Sequence, residues 1–243
     1  MNGFDLRDKV VLVTGAARRI GREIALRLHG EGARVAIHYG RSRPDAERTA
    51  AACGGAPLFG ANLESVPDII RLFDDVGGHF GRLDGLVNSA ARFTRMHPLE
   101  VTEADWDFIH SVNLKAVFFC CQQGAKWMRR NADGAGRIVN ISSLGGIRPW
   151  AMHAPYCASK AGVIHLTRAL AKAFAPGITV NSVAPGVITF EPDDEEAAGM
   201  VRATPAGRAG TAAEVAGAVV NFLTATNFLT GQVIAVDGGL SLR

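Results

Sequence analysis

"KVVLVTGAARRIG", residues 9–21, decides the fold. A β-branched run ends at Thr14, Gly15 follows at once, and Gly21 comes early in "RRIGREIALRLHGEG". There Ile20, Ile24 and Leu28 mark one apolar helix face, and Gly30 and Gly32 mark its end. Strand, glycine turn and helix in that order are the context a glycine motif needs before it carries meaning. Gly15 permits the tight turn, and Gly21 permits close approach of backbone and helix. The helix N-terminus offers unpaired N–H groups and positive partial charge to a pyrophosphate. A purely structural turn is the weaker reading, because strand and helix both stand in register.

The same alternation runs along the chain. "ARVAIHY", "LDGLVNSA", "GRIVNIS", "ITVNSVAP" and "GQVIAVDGG" read as further buried strands, with a weaker one over "APLFGAN". Residues 103–130 and 154–175 read as helices, the first interrupted near Asn113, and another covers 211–224 with Thr211 and Glu214 as a capping box. Alternation of this kind predicts one α/β domain over residues 1–243. Its sheet is doubly wound, mostly parallel and Rossmann-type, in three α/β/α layers. Ligands of such sheets collect beyond the carboxyl ends of the strands.

Composition bounds the function. The net charge of +3 is small and the basic residues are dispersed, which argues against a nucleic-acid groove. No apolar run reaches the ~20 residues of a membrane span, and the first ten residues lack a signal-peptide pattern, so a cytoplasmic protein is expected. Cys53, Cys120, Cys121 and Cys157 have neither CxxC spacing nor a histidine cluster, so they read as reduced, mostly buried thiols, and no metal is expected.

The second strand ends in "HYGRSR" with no acid before Asp45. An NAD-preferring site places an Asp or Glu there against the ribose 2′-hydroxyl. Arg41 and Ser42 instead suit a 2′-phosphate, with Arg18 or Arg19 approaching the same group, and the expected cofactor is NADPH.

"YCASK" sets Tyr156 and Lys160 four residues apart at the start of a helix, on one face. A free tyrosine, with a pKa near ~10, is a poor acid at neutral pH, and a neighbouring ammonium favours its phenolate. "VNISS" ends a strand in Ser142 and Ser143. Asn113 sits in an apolar helical run, where its amide needs a partner, either near the site or as a simple core bond.

Taken together, "TGAARRIG", "LVNSA", the Asn of "SVN", the Ser of "NISS", "YCASK", "NSVAPG" and "VDGG" resemble the short-chain dehydrogenase/reductase family over essentially the whole chain. The resemblance implies a catalytic tetrad of Asn113, Ser143, Tyr156 and Lys160. Ser143 would hold the substrate's polar atom and Tyr156 would be the acid. Lys160 would bind the nicotinamide ribose and lower the tyrosine pKa, and Asn113 would fix a relaying water. It implies cofactor contacts from Gly15, Arg18, Arg19, Ile20, Gly21, His38, Tyr39, Arg41, Ser42, Asn62, Leu63, Asn88, Ser89, Ala90, Pro185, Gly186 and Val187, besides Tyr156 and Lys160. It also implies a substrate lid over about 187–208 and a homotetramer built around the helices of Asn113 and Tyr156. Four positions depart from the family pattern: Ser89 and Ala91 in "NSAA", Asn62 in place of an adenine-contacting acid, and Arg19 in place of the middle glycine.

"TGAARRIG" with "HYGRS" and "NSAARF" is similar to the pteridine-reductase branch of that family. This likeness implies Arg19, Phe93, Ser143 and Tyr156 as substrate contacts, with a pterin-like heterocycle sandwiched by Phe93. The first expectation is therefore an NADPH-dependent reductase of a pterin-like heterocycle with Tyr156 as proton donor. Ser143, where trypanosomatid-type pteridine reductases carry an aspartate, is the ordinary carbonyl-reductase residue and keeps a ketone such as a 3-oxoacyl thioester as the alternative. A non-catalytic NADP(H) sensor is the third reading, disfavoured by the complete tetrad. Phe93 is either a pocket wall or core packing, and Trp150 either a pocket wall or a dimer contact. The acids of residues 193–196 read as a solvated helix start.

Overall fold

The computed structural model describes residues 4–190 and 195–242. Strand β1 (Val10–Thr14) is the pivot. Its side chains are buried on both faces, which is why it reads as an unbroken apolar run. On one side lie β2 (Arg34–Tyr39) and then β3 (Leu58–Gly60). On the other lie β4 (Gly85–Asn88), β5 (Gly136–Ile141), β6 (Ile178–Pro185) and β7 (Val233–Val236). All pairings are parallel, in the order 3-2-1-4-5-6-7. The chain reverses its direction of travel across the sheet between β1 and β4, so a crevice opens where Thr14 and Asn88 stand in register.

Helices cover both faces. Helix α1 (Arg19–Gly30) buries Ile24 and Leu28 against Val11 and Val13. Helices α2 (Arg43–Ala52) and α8 (Ala212–Thr224) complete that layer. The opposite layer holds α3 (Val66–Phe80), α4 (Glu103–His110), α5 (Ala116–Met128) and α6 (Ala154–Phe174). Its core joins Leu12, Leu86 and Ile138 to Phe73, Met128 and Val163. Each such side chain, fully buried, stabilises the fold by about 1.5–3 kcal/mol.

The capping box at Thr211 and Glu214 is present as expected. The interruption near Asn113 is a wide π-turn over Ser111–Lys115, between α4 and α5. The sequence reading names no helix over α2 or α3, although Ser65 caps the latter by accepting the Asp68 N–H at 3.3 Å and Pro67 follows in its first turn. Helix α7 (Glu195–Ala203) falls within the expected lid, where Ile188 and Gly210 are bridged as strand neighbours. Of the acidic run, Asp193 and Asp194 lie outside the described residues.

Among the described residues all four cysteines are free, with Cys53, Cys120 and Cys121 buried. No described group of His, Cys, Asp or Glu has a metal-holding arrangement. No described helix is long and apolar enough to cross a membrane.

Candidate active site

A cleft of about 960 Å³ runs along the carboxyl edge of the sheet. Every residue expected at the site lines it except Asn88 and Asn113, which stand behind its wall.

The first loop shows why its residues are small. A Cβ on Gly15, whose φ is +66°, would lie 2.8 Å from the Ala90 Cα. One on Gly21 would lie 2.3 Å from the Gly15 carbonyl oxygen. The Thr14 hydroxyl accepts the N–H groups of Ser89 and Ala90 at 3.1 and 3.3 Å, tying the ends of β1 and β4 together. Arg19 has φ +55°, so it adopts the left-handed turn that a glycine would enter freely. Arg18 is the extended residue before α1, the helix has no acid in its first turn, and no side chain caps it. The N–H groups of that first turn, with Arg18, Arg41 and Ser42, fit the pyrophosphate and 2′-phosphate of a dinucleotide. Ser42 makes no cap bond to α2.

His38 supports this loop from behind. Its Nδ1 accepts the Gly15 N–H at 3.1 Å, which leaves Nε2 to donate to the Ala61 carbonyl at 3.2 Å. Burial pushes its pKa down to about 4 from 6.5, so the ring is neutral. As pH falls the unfolded chain takes the proton first. The stability His38 contributes is therefore complete above 6.5 and is lost as pH falls through about 4. We expect about 2 kcal/mol of that loss between pH 7 and pH 5. In thermal melts this is a drop of about 4–8 °C that His38→Gln does not show. An equally acid-sensitive His38→Gln protein would assign the loss to other groups.

Tyr156 and Lys160 project from the first turns of α6 into the cleft. The Lys160 ammonium donates to the Ile141 carbonyl at 2.8 Å and lies 5.8 Å from the centre of the Tyr156 ring. Burial pushes its pKa down to about 8. For Tyr156, whose pKa the family resemblance has Lys160 lower, burial is the largest influence among the protein's own groups. Burial dominates and pushes the phenol up to about 12, opposed by a hydrogen bond from Ser143 that favours the phenolate. Tyr156 is therefore a fully protonated donor at neutral pH. Ser143 accepts the Gly145 N–H at 3.0 Å, which aims its hydroxyl. Gly146 lets this loop reach α6, because a Cβ there would be 2.7 Å from the Lys160 backbone.

Two expected residues stand behind the wall, with their side chains bonded within the protein. Asn88 is buried, and its amide donates to Asn140 at 2.8 Å and to the Cys121 sulfur at 3.3 Å. It positions the end of β4 and does not face the cleft. The side chain of Asn113 is likewise committed to protein. It accepts the Arg92 N–H at 2.7 Å and donates to the Arg92 carbonyl and to Ser159 at 2.9 and 3.2 Å. Ser159 in turn donates to the Tyr156 carbonyl at 2.7 Å. Asn113 thus clips the loop after β4 to α6.

Some lining residues escaped the sequence reading. Arg92 pairs with Glu64 and lies over the Phe108 ring at 4.0 Å. His153, buried, donates from Nδ1 to the Thr94 carbonyl at 2.6 Å. Phe190, within the expected lid, lies under the Arg19 guanidinium at 5.5 Å. A lone histidine three residues before Tyr156 carries no spacing signal. The alternating "RF" after "NSAA" was the available hint for Arg92.

Residues 15–241 match the family model described as enoyl-(acyl carrier protein) reductase. The chain is similar to the 3-oxoacyl-acyl-carrier-protein reductase FabG of Staphylococcus aureus (strain Mu50), 38% identical over 96% of this chain and 98% of that protein. It is also similar to nodulation protein G of Rhizobium sp. (strain N33), 38% identical over 98% and 99% of the two chains. Among solved structures, a double mutant of a Serratia marcescens short-chain dehydrogenase/reductase superimposes with a TM-score of 0.89 at 35% identity, covering 98% and 99%.

Proposed function

The chain belongs to the short-chain dehydrogenase/reductase family, and from that premise we propose that it is an NADPH-dependent ketone reductase acting on a 3-oxoacyl thioester. One observation carries the reading. The Ser143 and Tyr156 hydroxyls converge, so a single carbonyl oxygen can accept from both. The named relatives support the thioester over the pterin-like heterocycle expected from the pteridine-reductase likeness.

The dinucleotide, when bound, supplies the hydride. Gly15, Gly21 and the start of α1 would hold its pyrophosphate, and Arg41, Ser42 and Arg18 its 2′-phosphate. Lys160 would hold the ribose, and Pro185 to Val187 would meet the nicotinamide. Ser143 orients the carbonyl oxygen and Tyr156 delivers its proton to it. Asn113 serves as a positioning residue through Arg92 and Ser159, and its backbone in the π-turn is where a relaying water would bind. The exposed Trp106, Phe108 and Phe118 on α4 and α5 support the homotetramer that the family resemblance implies.

The test is NADPH oxidation with an acetoacetyl thioester beside dihydrobiopterin. Turnover of the thioester is expected. Turnover of the pterin alone would overturn the thioester assignment, and tight NADPH binding without any turnover would favour a sensor. In the same assay Arg41→Ala should raise the KM for NADPH about 10- to 100-fold and leave that for NADH nearly unchanged. Equal losses would remove Arg41 from the 2′-phosphate.

A further inference from the structure

Tyr156 does not stand alone in the cleft. Phe93 meets it edge-on, with centroids 4.8 Å apart at 85°. Trp150 lies parallel to it, at 6.2 Å and 11°. His153 stacks on Phe93 at 4.6 Å and 23°, and turns its edge to Trp150 at 5.8 Å. All four line the same end of the cleft, the end away from Arg41 and Ser42.

This wall is held from behind. His153 is fixed by the Thr94 carbonyl. Trp150 and Tyr156 crowd Gly145, where a Cβ would come within 3.1 Å of one ring and 3.3 Å of the other, so a side chain there would have to push the rings aside. Phe93, by contrast, is 59% exposed, whereas a packing phenylalanine such as Phe73 is 1% exposed. With one face on His153, the open area of Phe93 belongs to its other face and rim.

A rigid wall of π-faces beside the proton donor gains more from a flat ring than from an aliphatic group of equal size, because edge and face charges can match. We propose that Phe93, Trp150 and His153 make this site selective for 3-oxoacyl thioesters whose substituent on the reacting carbonyl is a planar aromatic ring. The inference rests on the thioester-reductase reading. The carbonyl carbon takes a hydride and its oxygen takes the Tyr156 proton, so the 3-oxo-3-aryl thioester becomes the 3-hydroxy compound as NADPH is oxidised to NADP.

The experiment compares N-acetylcysteamine thioesters of 3-oxo-3-phenylpropanoate and 3-oxo-3-cyclohexylpropanoate, which match in size but differ in ring flatness and in conjugation of the carbonyl, the second difference cancelling when wild type is set against Phe93→Leu. The expected kcat/KM ratio is about five- to tenfold in favour of phenyl, falling towards unity in Phe93→Leu. A parallel arm measures calorimetric binding of acetophenone and cyclohexyl methyl ketone to the Tyr156→Phe protein with NADP, where turnover plays no part. Reduction of both thioesters at equal efficiency overturns the inference and leaves the reductase reading intact. No reduction of either, with acetophenone still bound more tightly, overturns the thioester reading and leaves the aromatic selectivity standing. Equal binding of the two ketones overturns the selectivity whatever the kinetics.

Discussion

Replacing Tyr156 by phenylalanine should lower kcat for reduction about 10²- to 10⁴-fold, the contribution of a positioned general acid. NADPH affinity and thermal stability should stay at wild-type values. Phenylalanine keeps the ring that touches Phe93 and Trp150 and removes only the hydroxyl. Ser143 loses its partner there but still accepts the Gly145 N–H, so no buried polar atom is orphaned. Burial holds the phenol near 12, so Tyr156 keeps its proton throughout the neutral range. Rapid-mixing kinetics with separate measurement of NADPH binding check this. A variant retaining more than about a tenth of the rate would move the acid to another group.

The second large effect belongs to Gly21→Ala. Its Cβ would collide with backbone, 2.3 Å from the Gly15 carbonyl oxygen and 3.2 Å from the Ala16 Cα, and no rotamer change relieves that. Nor can Gly15 retreat, because it is packed on Ala90. We expect a fall in Tm of about 5–10 °C, from an overpacking cost of about 1–3 kcal/mol. NADPH affinity should fall on the order of 100-fold as α1 is pushed off the loop. Gly30→Ala is the control in the same helix. It has open space around it, and its effect should stay within about 1 kcal/mol. If both variants behave alike, the close approach at Gly21 is not what shapes the site.

The sheet was legible because its central strands are doubly buried, and β-branched runs of that kind have few other uses. Strand β7, expected to be buried, is instead only partly buried at the sheet edge, with Ile234 exposed. "ITVNSVAP" coincides with β6 throughout. Strand β3, three residues at the edge and only partly buried, left the weakest trace. The tetrad was legible as motifs, but its energetics were not. Whether Lys160 or burial governs Tyr156 depends on a 5.8 Å separation that no spacing encodes. Asn113 advertised an unmet amide in an apolar run, while its partner Arg92 lies 21 residues away across a sheet crossover. Phe93 was undecidable for a similar reason. Its neighbour His153 is brought to it by a long-range bond to Thr94, and its exposure is a property of the folded wall.

The left-handed backbone of Arg19 has a consequence for how the cofactor is received. Glycine at that position would let the loop sample mirror-image turns in the unfolded and folded chain alike. Arginine held at φ +55° accepts about 1–3 kcal/mol of strain and removes that sampling once the chain has folded. The turn is thus preorganised, and its ordering entropy is lost during folding and not at binding. Affinity for the dinucleotide at this loop then begins from a shape already set, with a guanidinium carried on it.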